Sequence, residues 1–279
     1  MISINTNTGS MAAIQNLNAT SRGLEASQKA ISTGKKVADV RDNGAIWTIA
    51  NKMTSDVKSY DRVRESADRA GAILDTAISA SESIMELLNE MKGKALAATQ
   101  TGLSTSSQSA LNADFVQLRD QITSIVANAS FDGTNMVNAT PANAVALGDA
   151  AGGNTLTING ISLALGSTTV SLAALQTIGK ATAAAIDDPA AALTAVNNSI
   201  TALGTQMATW GAGAKRIDVH KQFVSKLQDS LNAGIGSIVD ADLSKESAKL
   251  QSLQVKQQLG VQALSIANSS SQTALALFR

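Results

Sequence analysis

Apolar residues recur every seventh position along most of this chain, and that recurrence predicts long helices. The cleanest stripe is Val196, Leu203, Trp210, Ile217, Val224, Leu231 and Ile238, with no polar exception. Tyr60, Ala67, Leu74, Ser81, Leu88 and Ala95 alternate with Val63, Ala70, Ala77, Ile84, Met91 and Ala98 in a/d spacing. Leu111, Leu118 and Ile125 continue the beat, with Phe115 and Ile122 beside them. Leu74, Ile84, Leu88, Leu118, Ile122, Leu203, Trp210, Ile217, Val224 and Leu231 are therefore the expected core of a helical bundle. Near the start, Leu17, Leu24 and Ile31 are seven apart, with Met11 and Ile14 on the flank. The last helix keeps a different period: Leu253, Leu264 and Leu275 are eleven apart, as are Val255, Ile266 and Leu277. An eleven-residue repeat gives about 3.67 residues per turn, which suits near-straight parallel rods better than a tightly wound pair.

The breaks are as informative as the stripes. Gly34 and the Arg41 to Gly44 turn signal predict a loop between 33 and 45, and Gly102 with the following serines ends the next helix. Asp132 and Gly133 suit a tight turn. The run 155–165 alternates apolar and polar residues around Asn159-Gly160 and predicts a hairpin with Leu156, Ile158, Ile161 and Leu163 in its strands. Pro141 and Pro189 bracket this region. Gly234 and Gly236 predict a soft helix end, and Asp240 and Asp242 suit the start of the next helix. The expected fold is mainly α: a long antiparallel helical bundle or coiled coil built from both chain ends, with a small β-hairpin region in the middle. Its expected divisions are 1–42 with 240–279, 43–135 with 189–239, and a short segment 136–188.

Charge sharpens the picture through its placement. The 279 residues carry 22 basic and 22 acidic side chains, so the net charge is zero and no Lys/Arg excess points to nucleic acid. Residues 1–21 and 257–278 carry no charge at all, and Asp149 stands alone between 134 and 179. Chain ends are normally the most solvated segments. Here they are expected to be loose in the monomer and to order once neighbours surround them, with Gln15, Asn16, Gln258, Gln262, Asn268 and Gln272 bonding between helices. The start lacks a basic region and an apolar core, so no cleaved leader is expected. The tail is too broken by Ser, Asn and Gln for membrane insertion.

Candidate chemistry is sparse. Cysteine is absent and His220 is the only histidine, which excludes thiolate sites, disulfides and multi-His metal centres. His220 with Asp218 nearby could form an acid/base pair, but no nucleophile motif accompanies them, and an exposed helical histidine is expected. Asp240, Asp242 and Glu246 could suggest a calcium loop; they lack its sharp-turn glycine, and helix-start acidity is preferred. The expectation is no enzyme, no cofactor and no metal.

Several ordered motifs now make the chain similar to a known family. The opening INTNTGSMAAIQNLN, then ISTGKKV, then NGAIWTIANKMTSDV resemble the start of bacterial flagellin. GAGAKRID, DADLSKESAKL and QQLGVQALSIANSSSQTALALFR resemble its end, in order and spacing. The resemblance implies an extracellular filament subunit for swimming, exported unfolded through the flagellar type III apparatus with an export chaperone. It implies an inner tube of terminal helices and an outer tube of the next segments. Polymerisation would then fall to Met11, Ile14, Leu17, Leu24, Ile31, Leu253, Val255, Leu264, Ile266, Leu275 and Leu277. Partners implied are other flagellin subunits, hook-filament junction proteins and the filament cap. A junction protein of the same export family is the alternative reading. The family's variable outer domain is almost absent, which implies a short flagellin and a smooth filament. Flagellins recognised by the animal innate receptor carry Arg-x-x-Glu-Leu-x-Val-Gln; this chain has Glu90, Gly93, Lys94, Leu96 and Ala97 at those positions. Reversal of one charge and loss of the other predict weak receptor recognition.

Overall fold

The computed structural model describes residues 7–164 and 189–276, with side chains to Ser269. Five helices carry the described chain: α1 (Thr8–Thr33), α2 (Gly44–Ala98), α3 (Thr105–Asn128), α4 (Pro189–Val239) and α5 (Leu243–Ala276). Their ends follow local chemistry. Asn7 accepts from Ser10 N to cap α1, and Gly34 ends it in the left-handed conformation at φ 69°. Ser104 Oγ caps α3 through Ser107 N. Asp242 Oδ1 accepts from Ser244 N and Lys245 N at the head of α5. Pro189 sits at the first position of α4, where its missing N–H costs nothing.

Two compact units form, Met1–Val57 with Asp229–Arg279, and Lys58–Gln228. Their divisions fall inside α2 and α4.

In the unit Lys58–Gln228 the heptad stripes are buried. Leu74, Ile84, Leu88, Ile122, Leu203, Trp210, Ile217 and Val224 are fully enclosed, together with Met91 and Phe115. Leu118 is half-buried against this core. Leu231, grouped with the same stripe in sequence, is half-buried and belongs to the other unit. Ser81 interrupts the apolar register and is also buried, its hydroxyl satisfied by Ala77 O at 2.8 Å.

Two small antiparallel strand pairs occupy the middle. β1 (Ser130–Phe131) and β2 (Thr134–Asn135) pair around Asp132 and Gly133, both at positive φ, which matches the twist a two-residue hairpin needs. Asn135 then ties the turn down, donating to Val126 O at 2.8 Å and accepting from Val137 N and Asn138 N. β3 (Ala144–Leu147) pairs with β4 (Thr155–Ile158), Ala144 opposite Ile158.

That pairing corrects the expected hairpin. Leu156 and Ile158 lie in β4, but Asn159-Gly160 is not its turn; the 148–154 loop is. Segment 160–163 runs instead beside 136–137, with Ile161 N and Leu163 N donating to Met136 O and Val137 O at 2.8 Å. Gly160 is required by this close approach, because a Cβ there would collide with Ala142 O and lie 2.9 Å from Met136 O. Gly234 and Gly236 do not end α4 either. A Cβ at Gly234 would stand 2.9 Å from Met53 Cε, so this glycine admits a neighbouring side chain within a continuous helix. His220 is half-buried rather than exposed, its Nε2 lying 3.2 Å from Leu147 O.

Candidate functional site

The terminal helices form one antiparallel seam. Asn7 Nδ2 donates to Ala267 O at 2.8 Å, a Cβ at Gly260 would sit 3.4 Å from Leu17, one at Gly23 would sit 3.5 Å from Leu253, and Ser27 Oγ donates to Glu246 at 2.9 Å. Numbers rise along α1 as they fall along α5. Glycine on one helix thus faces leucine on the other at two levels, which lets the backbones approach without a cavity. Leu24, Ile31 and Leu264 are half-buried, as are Leu17 and Leu253. Ser27 and Ala30 are fully enclosed at one end.

The same unit is closed by two loops. The 34–43 loop bonds to the end of α4 through Lys36 N to Val239 O and to the 240–242 loop through Ala241 N to Gly34 O, both at 2.8 Å. Lys29 reaches across the first loop to Asp39 at 2.6 Å and Asp42 at 2.9 Å. Asp42 also accepts from Ala38 N and Asp39 N. The Lys29 ammonium is the main reason both carboxyls sit below the usual range, with the loop N–H groups adding to it. At Glu246 the first cause is the Ser27 hydroxyl, with Lys249 adding and burial opposing. Asp242 is engaged in capping and Glu246 in the seam. Among the described residues no group of His, Asp and Glu is arranged to hold a metal.

These shifts have a signed consequence. A carboxyl whose folded value is depressed stabilises the folded state above its ordinary pKa and loses that contribution as pH falls through the folded value. The clamp at Ser27–Glu246 and the Lys29 loop are therefore expected to loosen below about pH 4. Amide protection factors, each referred to the intrinsic exchange rate at the same pH, should fall in α1 and α5 there ahead of the Lys58–Gln228 core; equal protection at neutral and acid pH would refute this.

What the seam leaves outside is the notable feature. Val255, Leu259 and Ile266 are 55–69% exposed on α5, and Met11 and Ile14 are 58% and 44% exposed on α1. At about 100° per residue, Val255 stands roughly 200° from Leu253, so α5 carries a second apolar stripe opposite its seam. The two eleven-residue series seen in sequence are these two faces. Leu259 and Val261 (54% exposed) belong to neither series and were not singled out; their signal was the charge-free stretch that holds them. Leu275 and Leu277 lie outside the described side chains. Ten of the fifteen exposed large apolar residues among those described lie in the unit of the chain ends. A surface of this kind marks association.

Comparison with known proteins identifies the family. Residues 4–142 match the bacterial flagellin N-terminal helical region, and residues 193–278 match the flagellin C-terminal helical region. The chain belongs to the flagellin family. Flagellin FljO of Caulobacter vibrioides is 46% identical over 280 aligned residues, covering 99% of this chain and 98% of that one. The flagellin of Brucella melitensis is 38% identical, with 100% of both chains covered. The crystal structure of Bacillus cereus flagellin matches 57% of this chain and 88% of that chain, at 23% identity and a TM-score of 0.47. This flagellin is a structural subunit of the bacterial flagellar filament, an extracellular polymer of such subunits. It is short and lacks a large variable domain.

Proposed function

We propose that this flagellin polymerises through the outward apolar faces of its terminal helix pair, and that these faces form the inner tube of the filament. The observation that carries the reading is the coincidence of two features: both chain ends are free of charge over 1–21 and 257–278, and the helices they form keep apolar side chains on the face turned away from their mutual seam. Solvated helix faces are ordinarily charged. A face that is neither charged nor buried in the single chain is built for neighbours, and repeated contacts between unlike surfaces generate an open helical tube instead of a closed oligomer. The unit Lys58–Gln228, with its own enclosed core, supplies the outer tube. Export through the type III apparatus, a chaperone that covers the ends beforehand, and contacts with the cap and junction proteins complete the reading.

Salting-out of the purified chain tests it. Electron microscopy is expected to show long tubes, and a chain lacking 257–279 should stay a helical monomer under the same conditions. Normal filaments from that truncation would overturn the assignment of the tail.

On α2, Glu90 and Gly93 are exposed, and Lys94 pairs with Asp114 at 2.6 Å. The receptor therefore meets an acidic side chain and a bare backbone where recognised flagellins offer Arg and Glu. A receptor reporter assay should give a weak response, and a full-strength one would refute this.

A further inference from the structure

The chain contains two Asn-Gly pairs, Asn43-Gly44 and Asn159-Gly160. Such a pair is chemically labile, because a glycine leaves the following backbone nitrogen unhindered. That nitrogen, having lost its proton, attacks the asparagine Cγ. A new C–N bond closes a five-membered imide while the bond to the side-chain nitrogen breaks and ammonia leaves. Water then opens either imide carbonyl, giving aspartate or isoaspartate. The net change is one water consumed and one ammonia released.

At 160 the sequence has no way to avoid the glycine, since any Cβ would strike Ala142 O. We propose that the fold itself suppresses the reaction at Asn159, so that this pair is a modification site only of the unfolded chain. The one peptide group that would have to rotate, Asn159 C=O with Gly160 N–H, is held on both sides. Gly160 N–H donates to Asn143 Oδ1 at 3.0 Å, which occupies the proton that must be lost. The Asn159 carbonyl accepts from Trp210 Nε1 at 3.0 Å, and Trp210 is fully buried, so this anchor does not move. On either side, Ile158 is fixed in β4 and Ile161 N is bonded to Met136 O. The Asn159 side chain is itself exposed, so the brake is conformational and does not come from excluding water.

Asn43-Gly44 provides an internal comparison. Asn43 caps α2 through Ile46 N at 3.1 Å, and Gly44 N–H is the first of that helix, one of the four with no intrahelical acceptor. Its reacting nitrogen is not held by a side chain in the way Gly160 is. Conversion to aspartate there keeps the cap, because Asn and Asp cap about equally well.

The test uses the full chain, incubated at mildly alkaline pH either native or in urea. Asparagine conversion and isoaspartate at the two pairs are followed by peptide mass spectrometry. Asn159 is expected to react at least about tenfold more slowly in the native chain than in urea, and more slowly than Asn43 in the native chain. Asn143→Ala, a surface change, and Trp210→Phe, which keeps an aromatic ring of smaller size but removes the donor, should each accelerate Asn159 in the native state. Neither should alter Asn43. Equal rates at Asn159 in native and unfolded chains would overturn the proposal. So would two variants of unchanged helicity that leave Asn159 as slow as before.

Discussion

Replacing Val255, Leu259 and Ile266 together by aspartate is expected to abolish filament growth while leaving a folded monomer. The three side chains share the face of α5 turned away from Leu17 and Gly23, so the seam with α1 is untouched. Full burial of each contributes about 1.5–3 kcal/mol to an assembled contact. The loss of three raises the critical concentration at least about a thousandfold, at about 1.4 kcal/mol per tenfold, before the cost of burying carboxylates is added. The monomer sees only three exposed substitutions, each lowering helix propensity by less than about 0.7 kcal/mol. Circular dichroism should therefore match the parent, while sedimentation after salting-out finds no polymer. The reciprocal change on the seam, Leu253→Asp, should instead reduce the helical signal of the monomer.

Trp210→Ala should produce the largest loss of stability of any single substitution in the unit Lys58–Gln228. Trp210 is the largest of its fully buried side chains. Truncation opens a cavity worth about 3–5 kcal/mol. It also strips the Asn159 carbonyl of its indole donor, about 1 kcal/mol more. The thermal midpoint should fall by about 10 °C or more. Trp47→Ala, at a tryptophan 36% exposed, should move it far less. Similar losses for the two would mean that Trp210 is not the keystone of the core.

The contrast between these two predictions shows how far the sequence could be read. Heptad positions such as Leu74, Leu88, Leu203 and Trp210 were legible as buried because one period, sustained over several turns, leaves only one face to bury. In α5 the same reasoning found both stripes, at Leu253 and at Val255, but periodicity alone did not separate seam from outer face. What separates them is the partner helix: Gly23 receives Leu253 and Gly260 receives Leu17. Small residues reveal a seam only when the opposing side chain is known. Asn159-Gly160 misled for a related reason. A glycine after an asparagine signals a turn when flanked by alternating residues, yet here it serves a close backbone approach from Ala142, eighteen positions earlier in the chain. Gly234 is the helical version of the same ambiguity, its space being taken by Met53.

The charge-free ends carried two expectations, an assembly surface and looseness in the single chain. Among the described residues these ends are helical and paired with each other instead of loose, and on the proposed reading assembly covers their outer faces. A cryo-electron microscopy map of the assembled filament tests this most directly. The account predicts α1 and α5 innermost, with Val255, Leu259 and Ile266 packed against neighbouring subunits. A map that leaves these three side chains facing open solvent, or that places the terminal helices on the outside, would contradict it.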